Sequence, residues 1–288
     1  MTKQVTVLGT GSMGTAIANA LLSAGYRTHV WNRSHERTGS LVDAGAIAHR
    51  EIADAVTAAP VLLGVQTDFD ATRASLRPAA DALTGRDVIT LNSGTAAQAR
   101  QFADWVRARG ARSLAGAIKN VPAAVGEPDT LLYFAGDREV FDTHRETLRV
   151  FGGELDFLGQ EPDLAAFYEA AVGATLLPTL LGFLEGAAML GSRELPAASM
   201  VPYARKWLRM IESLLPVLAE EIDAEDYTRL GSSVELFHTM IESDPQTAAE
   251  TGVDLSWHAP MHDLLRRAVA DGRGEQSVTA LYELLAGR

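Results

Sequence analysis

The sequence predicts an α/β fold: an N-terminal Rossmann domain with a doubly wound sheet, one long interdomain helix, and an all-α C-terminal domain. Three observations predict it. An apolar, β-branched strand at 5–8 runs directly into Gly9-Thr10-Gly11-Ser12-Met13-Gly14 and then a helical stretch ending at Gly25. Short apolar runs then alternate with helical patterns as far as residue 160, as in a parallel sheet covered on both faces. Beyond residue 161 only helical spacing recurs. The expected domains are therefore 1–160, an interdomain helix at 161–190, and a helical domain at 191–288.

The elements follow in order. A second strand at 28–31 precedes a helix at 34–44, with Ser34 in N-cap position, and a short helix at 51–58. The run 61–65 is bounded by Pro60 and Gln66-Thr67-Asp68, as suits a strand buried on both faces. A helix at 69–84, a strand at 88–91 and a helix at 97–109 come next. Strands at 113–118 and 130–135, a helix at 138–151 and a strand at 154–158 complete the alternation. Asp163 is placed to N-cap a helix reaching about residue 190. Further helices are expected at 200–222, kinked by Pro216, and at 232–243, 245–251, 260–271 and 275–286. The stretch 171–190 is apolar on all sides and as long as a membrane span. Pro178, Gly182 and Glu185 within it favour burial between two chains over insertion.

Composition narrows the function classes. The 288 residues are 47% apolar and 22% charged, with a formal net charge of −12. That charge argues against a nucleic-acid or anionic-membrane partner. Without cysteine there are no disulfides, thiolate nucleophiles or Cys-based metal sites. The first strand begins at once, so no secretory leader is expected and the cytoplasm is the expected compartment. No metal site is expected: His258 and His262 are spaced i, i+4, but Pro260 between them argues against one helical face. No G-x-S-x-G motif is present.

The glycine motif carries chemistry. Gly9 permits the tight turn, Gly11 lets backbone approach a pyrophosphate, and Gly14 lets the helix pack on the strand. Free N–H groups at the helix start, around Thr10, Ser12 and Met13, would receive the phosphates. The second strand ends in Asn32-Arg33-Ser34, with Arg37 one turn on, where an NAD site has a carboxylate. Amide, hydroxyl and guanidinium groups suit a ribose 2′-phosphate, so NADPH is the expected cofactor. Val65, Gln66, Thr67 and Asn92 lie at strand C-termini, where such a cofactor sits.

Several stretches resemble the NADPH-dependent imine reductases and reductive aminases of the β-hydroxyacid dehydrogenase superfamily. They are Trp31-Asn32-Arg33-Ser34, Asp68-Phe69-Asp70-Ala71, Ser93-Gly94-Thr95, Gly116-Ala117-Ile118 with Val121-Pro122 and Gly126, Phe167-Tyr168-Glu169, and Gly182-Phe183-Leu184. The resemblance implies hydride transfer to a C=N carbon by a homodimer that exchanges its C-terminal domains. It places Ser93, Gly94 and Thr95 at the substrate. It also sets Glu169 where hydroxyacid dehydrogenases carry their acid–base lysine, and a carboxylate there suits an iminium. Where relatives have a Tyr or Asp proton donor, about 12 Å further along the helix, this chain has Leu177. His238 is then a candidate donor, water is another, and a substrate arriving as an iminium needs none; Trp207 is a candidate pocket wall. Thr90 replaces a usual Asn, with Asn92 two residues on. Lys119 stands where relatives are apolar, either binding an acidic substrate group or pairing locally. The alternatives are a β-hydroxyacid dehydrogenase-like oxidation of a 3-hydroxy acid, and an NADP-binding protein without turnover.

Overall fold

The computed structural model describes residues 3–288, which divide into two compact units meeting between Thr175 and Leu176. The first unit is built on an eight-stranded sheet. Its strands are β1 (Gln4–Leu8), β2 (Arg27–Trp31), β3 (Ile47–His49), β4 (Val61–Gly64), β5 (Asp87–Thr90), β6 (Arg112–Lys119), β7 (Leu131–Gly136) and β8 (Leu155–Gly159). They lie in the order β3-β2-β1-β4-β5-β6-β7-β8. The first six run parallel, and β7 turns antiparallel to β6 with β8 parallel to it. The crevice where chain order reverses, between β1 and β4, is where such sheets bind ligands.

Adjacent residues on each central strand enter opposite cores, as a period of two demands. Val7, Leu63 and Ile89 join one cluster, while Leu8, Leu62 and Val88 join the other. The helices covering these faces are α1 (Ser12–Ser23), α2 (Gly39–Asp43), α3 (Ile52–Thr57), α4 (Phe69–Leu76), α5 (Ala96–Arg107), α6 (Arg138–Leu148) and α7 (Leu164–Gly173). At the N-terminal end of β5, Asp87 receives both Arg112 nitrogens at 2.8 and 3.0 Å and faces His144 Nε2 at 2.7 Å. Burial alone would raise the Asp87 pKa. The bonds from His144 and Arg112 outweigh it and hold the carboxyl below its usual range.

The structure departs from sequence expectation at several elements. β3 lies where no strand is expected: three residues at a sheet edge are too few to show alternation. The segment 34–44 is a 3₁₀ turn, His35–Thr38, followed by α2, and Ser34 makes no side-chain cap. The helix expected at 69–84 ends at Leu76, and a 3₁₀ segment, Arg77–Leu83, carries Pro78 in its first turn. Pro78 has no N–H to continue the ladder. Asp163 makes no side-chain cap and instead pairs with Arg100. The long helix breaks at Ala174-Thr175 into α7 and α8 (Leu176–Gly191). Together they form a 28-residue stretch long and apolar enough to cross a membrane by length and composition.

The second unit is helical throughout: α8, α9 (Val201–Ala224), α10 (Val234–Ile241), α11 (Asp244–Thr251), α12 (Ala259–Ala270) and α13 (Leu281–Leu285). α9 runs through Pro216. Its small core gathers Tyr227, Val234, Leu265, Ala268 and Ala280. The fully buried Glu221 ties the loops together, accepting from the Arg229 and Leu230 amides and from the Ser277 hydroxyl. Pro260 sits in the first turn of α12 with His258 as its N-cap residue. A proline is tolerated there because that N–H is unsatisfied in any helix. The sequence argument against His258 and His262 sharing a site therefore fails.

The β1–α1 turn is a close backbone approach beside the crevice. Gly9 has φ +101°, and a Cβ built on it would lie 2.4 Å from the Val65 carbonyl oxygen. A Cβ on Gly14 would lie 2.0 Å from the Gly9 oxygen, whereas one on Gly11 would meet nothing within 4 Å. Gly14→Ala should therefore destabilise the fold by about 1–3 kcal/mol in urea unfolding. Gly11→Ala should stay within about 0.5 kcal/mol of wild type. Equal stabilities would contradict this account of the turn.

Candidate functional site

A cavity of about 310 Å³ opens over the C-terminal ends of β1, β4, β5 and β6. Gly11, Ser12, Met13 and Gly14 form one wall, and Val65, Gln66 and Thr67 the next. Asn92, Ser93 and Glu169 close it, with Leu91, Ala117 and Ile118 as its apolar lining. Two roomier hollows, about 500 and 680 Å³, lie elsewhere on the first unit and contain none of these residues.

The residues present fit a dinucleotide. α1 begins at Gly11 with no side-chain cap, so its first N–H groups are free for an anion. Gly11 leaves open space for close approach. At the end of β2, Asn32 Oδ1 accepts the Thr10 amide at 3.3 Å, and Asn32 Nδ2 donates to the Ser34 carbonyl at 3.0 Å. Asn32 thereby joins the glycine turn to the loop carrying the positive charge. The Thr10 hydroxyl donates to the Arg37 carbonyl at 3.3 Å, bringing Arg37 to the same turn. Arg33 and Arg37 are exposed, and neither guanidinium pairs with a carboxylate among the described residues. They would hold a 2′-phosphate as two unspent cations, with Ser34, half-buried, between them.

Asn92, in the cavity wall, is also a structural clamp. It is only 3% exposed; its Oδ1 accepts the Gln66 amide at 3.0 Å and its Nδ2 donates to Thr72 at 2.9 Å. Its polar atoms clamp the end of β4 to α4. Thr95 caps a helix: its hydroxyl accepts from Gln98 N while Gln98 Oε1 accepts from Thr95 N. This capping box fixes the start of α5. Gly94 lies between, where a Cβ would come 2.7 Å from the Phe69 ring. Thr90 is buried on β5.

Glu169 is the charged group at the cavity. It lies on α7 with its side chain 16% exposed. Ser93 Oγ donates to its Oε1 at 3.0 Å, and Lys119 Nζ lies 3.4 Å from the same oxygen. Lys119 thus pairs locally, reaching from the end of β6. Gly173, one turn beyond Glu169, makes the space: a Cβ there would stand 3.3 Å from Lys119 Nζ. Sequence reading missed Tyr133. It sits opposite Ala117 in the β6–β7 register, with its hydroxyl buried and unbonded among the described residues. Burial, then the nearby charge of Glu169, push that hydroxyl up to about 12. No local pattern signals it, because only the strand pairing brings it near α7.

The remaining candidates belong to the second unit. Leu177 on α8 and Trp207 on α9 are exposed. His238 on α10 lies 3.8 Å from Glu235.

With this geometry in place, similarity to known proteins can be stated. Residues 4–159 match the NAD binding domain of 6-phosphogluconate dehydrogenase. Residues 161–287 match the C-terminal domain of NADPH-dependent reductive aminase-like proteins. The NADPH-dependent reductive aminase of Aspergillus oryzae is 30% identical over 287 residues, 98% of this chain and 97% of that protein. The reductive aminase from Aspergillus terreus, solved in complex with NADPH4, cyclohexanone and allyl amine, has a TM-score of 0.93 at 30% identity, covering 99% of this chain and 100% of that one. The Streptomyces aurantiacus imine reductase has a TM-score of 0.93 at 30% identity, covering 98% and 99%. The chain therefore belongs to the NADPH-dependent reductive aminase and imine reductase family.

Proposed function

We propose that this protein is an NADPH-dependent oxidoreductase that reduces the C=N bond of an imine or iminium to an amine, with Glu169 as the charged group at the substrate. The observation that carries the assignment of Glu169 is its place in the cavity wall, held by Ser93 and Lys119. The bound nicotinamide supplies hydride; the chain supplies position and charge. A carboxylate beside the reacting carbon–nitrogen bond stabilises the cationic form of the substrate, which is the form that accepts hydride. The Ser93 hydroxyl fixes which way that carboxylate points. An iminium becomes a neutral amine on gaining hydride, so it needs no proton donor, which accommodates Leu177. A neutral imine needs one proton as well, and His238 is the candidate on the helical unit.

Lys119 favours a second reading. It brings an ammonium group to the acid–base position from a strand instead of from the interdomain helix, where the sequence offers none. An ammonium there suits a carbonyl or carboxylate substrate, as in a 3-hydroxy acid dehydrogenase. Its neutralising contact with Glu169 weighs against this, because an ammonium engaged by a carboxylate is less available to a substrate anion.

We further propose a homodimer with exchanged C-terminal units. α8 buries none of its residues, and Leu176, Leu180 and Leu184 form one exposed stripe at i, i+4 and i+8. Tyr203, Trp207 and Leu215 are exposed along α9. Apolar surface of this extent marks an interface.

Glu169→Gln, which keeps size and removes charge, should lower kcat/KM for cyclic imines about 100-fold, with NADPH affinity unchanged by fluorescence titration. Unchanged imine turnover would exclude Glu169, and oxidation of 3-hydroxy acids without imine reduction would favour the second reading. Light scattering should give twice the 30.8 kDa chain mass; a monomer at micromolar concentration would contradict the dimer.

A further inference from the structure

The second unit contains a cluster of side chains that the reduction chemistry does not use. Asp244 opens α11, His258 immediately precedes α12, and His262 lies in the first turn of α12. Both imidazoles converge on one carboxylate oxygen: His258 Nδ1 is 2.6 Å and His262 Nε2 is 2.9 Å from Asp244 Oδ2. One ligand atom from each residue can be chosen so that all three lie within 4.8 Å of one another.

The other nitrogen of His258 is also engaged. Nε2 faces Glu185 Oε2 on α8 at 2.8 Å, and the same oxygen accepts the Trp257 indole N–H at 2.8 Å. A carboxylate only accepts, so Nε2 carries a proton toward Glu185, and Nδ1, which also faces a carboxylate, holds either a second proton or an ion. The Trp257 ring packs edge-on against the His258 ring, with centroids 4.4 Å apart, and fixes its plane. A histidine whose far nitrogen donates to a carboxylate, leaving its near nitrogen aimed at a shared centre, is the arrangement of metal-ligating histidines.

A proton or an ion could sit at that centre. Protons leave a defect: His262 Nε2 is buried and makes no aligned hydrogen bond among the described residues, although Asp244 Oδ2 is within contact distance. One divalent ion would satisfy both nitrogens and the carboxylate together. Ligands held at about 2.0–2.1 Å in tetrahedral geometry lie roughly 3.3 Å apart. The two Asp244 contacts are shorter than this, so the site has only to expand by about half an ångström to admit the ion.

We propose that His258 Nδ1, His262 Nε2 and Asp244 bind one divalent transition-metal ion of the zinc class, with Glu185 and Trp257 orienting His258. Two imidazoles and a carboxylate are a borderline nitrogen–oxygen set that suits zinc, cobalt or nickel over calcium or magnesium. The ion would tie the start of α11 to the start of α12 and leave a fourth position for water.

The test is titration of tag-free, full-length, metal-stripped protein with Co²⁺, followed by visible absorption and by equilibrium dialysis. The expected result is one Co²⁺ per chain with the absorption of tetrahedral cobalt, displaced by one equivalent of Zn²⁺. His262→Ala should abolish the band. Glu185→Gln keeps every ligand and should weaken Co²⁺ binding about 10–100-fold, a change that loss of a mere surface contact would not produce. Far-ultraviolet circular dichroism checks that the variants fold. Should a variant fail to fold, stoichiometric tetrahedral cobalt in the wild type with protection of both histidines from acylation still supports the site. Absence of a bound ion at millimolar Co²⁺, or undiminished binding in folded His262→Ala, overturns it.

Discussion

The contact between Gly14 and the Gly9 carbonyl is the constraint on which the rest of the first unit depends. Helix α1 can approach the end of β1 at that distance only because Gly14 has no side chain. The same approach seats Gly9 against the Val65 carbonyl and so joins the ends of β1 and β4. Everything that forms the cavity is referred to this corner. Asn32 hangs from the Thr10 amide, Asn92 clamps Gln66, and the free N–H groups of α1 face the space between them. Close backbone packing therefore coincides with the free helix N-terminus, and the apolar alternation of the strands packs that corner from both faces.

The charge at the far wall of the cavity comes from farther apart in sequence. Ser93 follows β5, Lys119 ends β6, and Glu169 rides on α7. Their meeting depends on the sheet order, which sets β6 beside β5, and on α7 lying against β6 and β7. A carboxylate with one hydroxyl and one ammonium against the same oxygen has a defined direction and a remaining oxygen for a ligand. In the proposed reading, that oxygen on α7 faces the cationic nitrogen of the substrate, and the Lys119 ammonium reaches the same carboxylate from the end of β6.

Legibility in the sequence followed the range of the interactions. The glycine turn and every strand but β3 were readable because each is specified within a few neighbouring residues. The T-x-x-Q of Thr95 and Gln98 is equally local and specifies the capping box at the start of α5. Asp163 looks like a cap and instead serves Arg100, because a partner 63 residues away competes for its carboxylate. The break at Pro78 was available from the missing N–H alone. Pro260 misled in the opposite direction, since a proline in the first turn starts a helix as well as one further in would end it. Lys119, Tyr133 and the Asp244 cluster were out of reach: their partners are set by strand pairing and helix placement, not by spacing along the chain.

The central claim is that this cavity delivers hydride to a C=N carbon, and label transfer tests it most directly. With NADPH deuterated at C4 on the transferred face and 1-pyrroline as substrate, the account predicts one deuterium at C2 of the pyrrolidine formed, read by mass spectrometry and NMR. Pyrrolidine without deuterium from either C4-labelled face, or NADPH binding with no amine formed across a panel of cyclic imines, would contradict it.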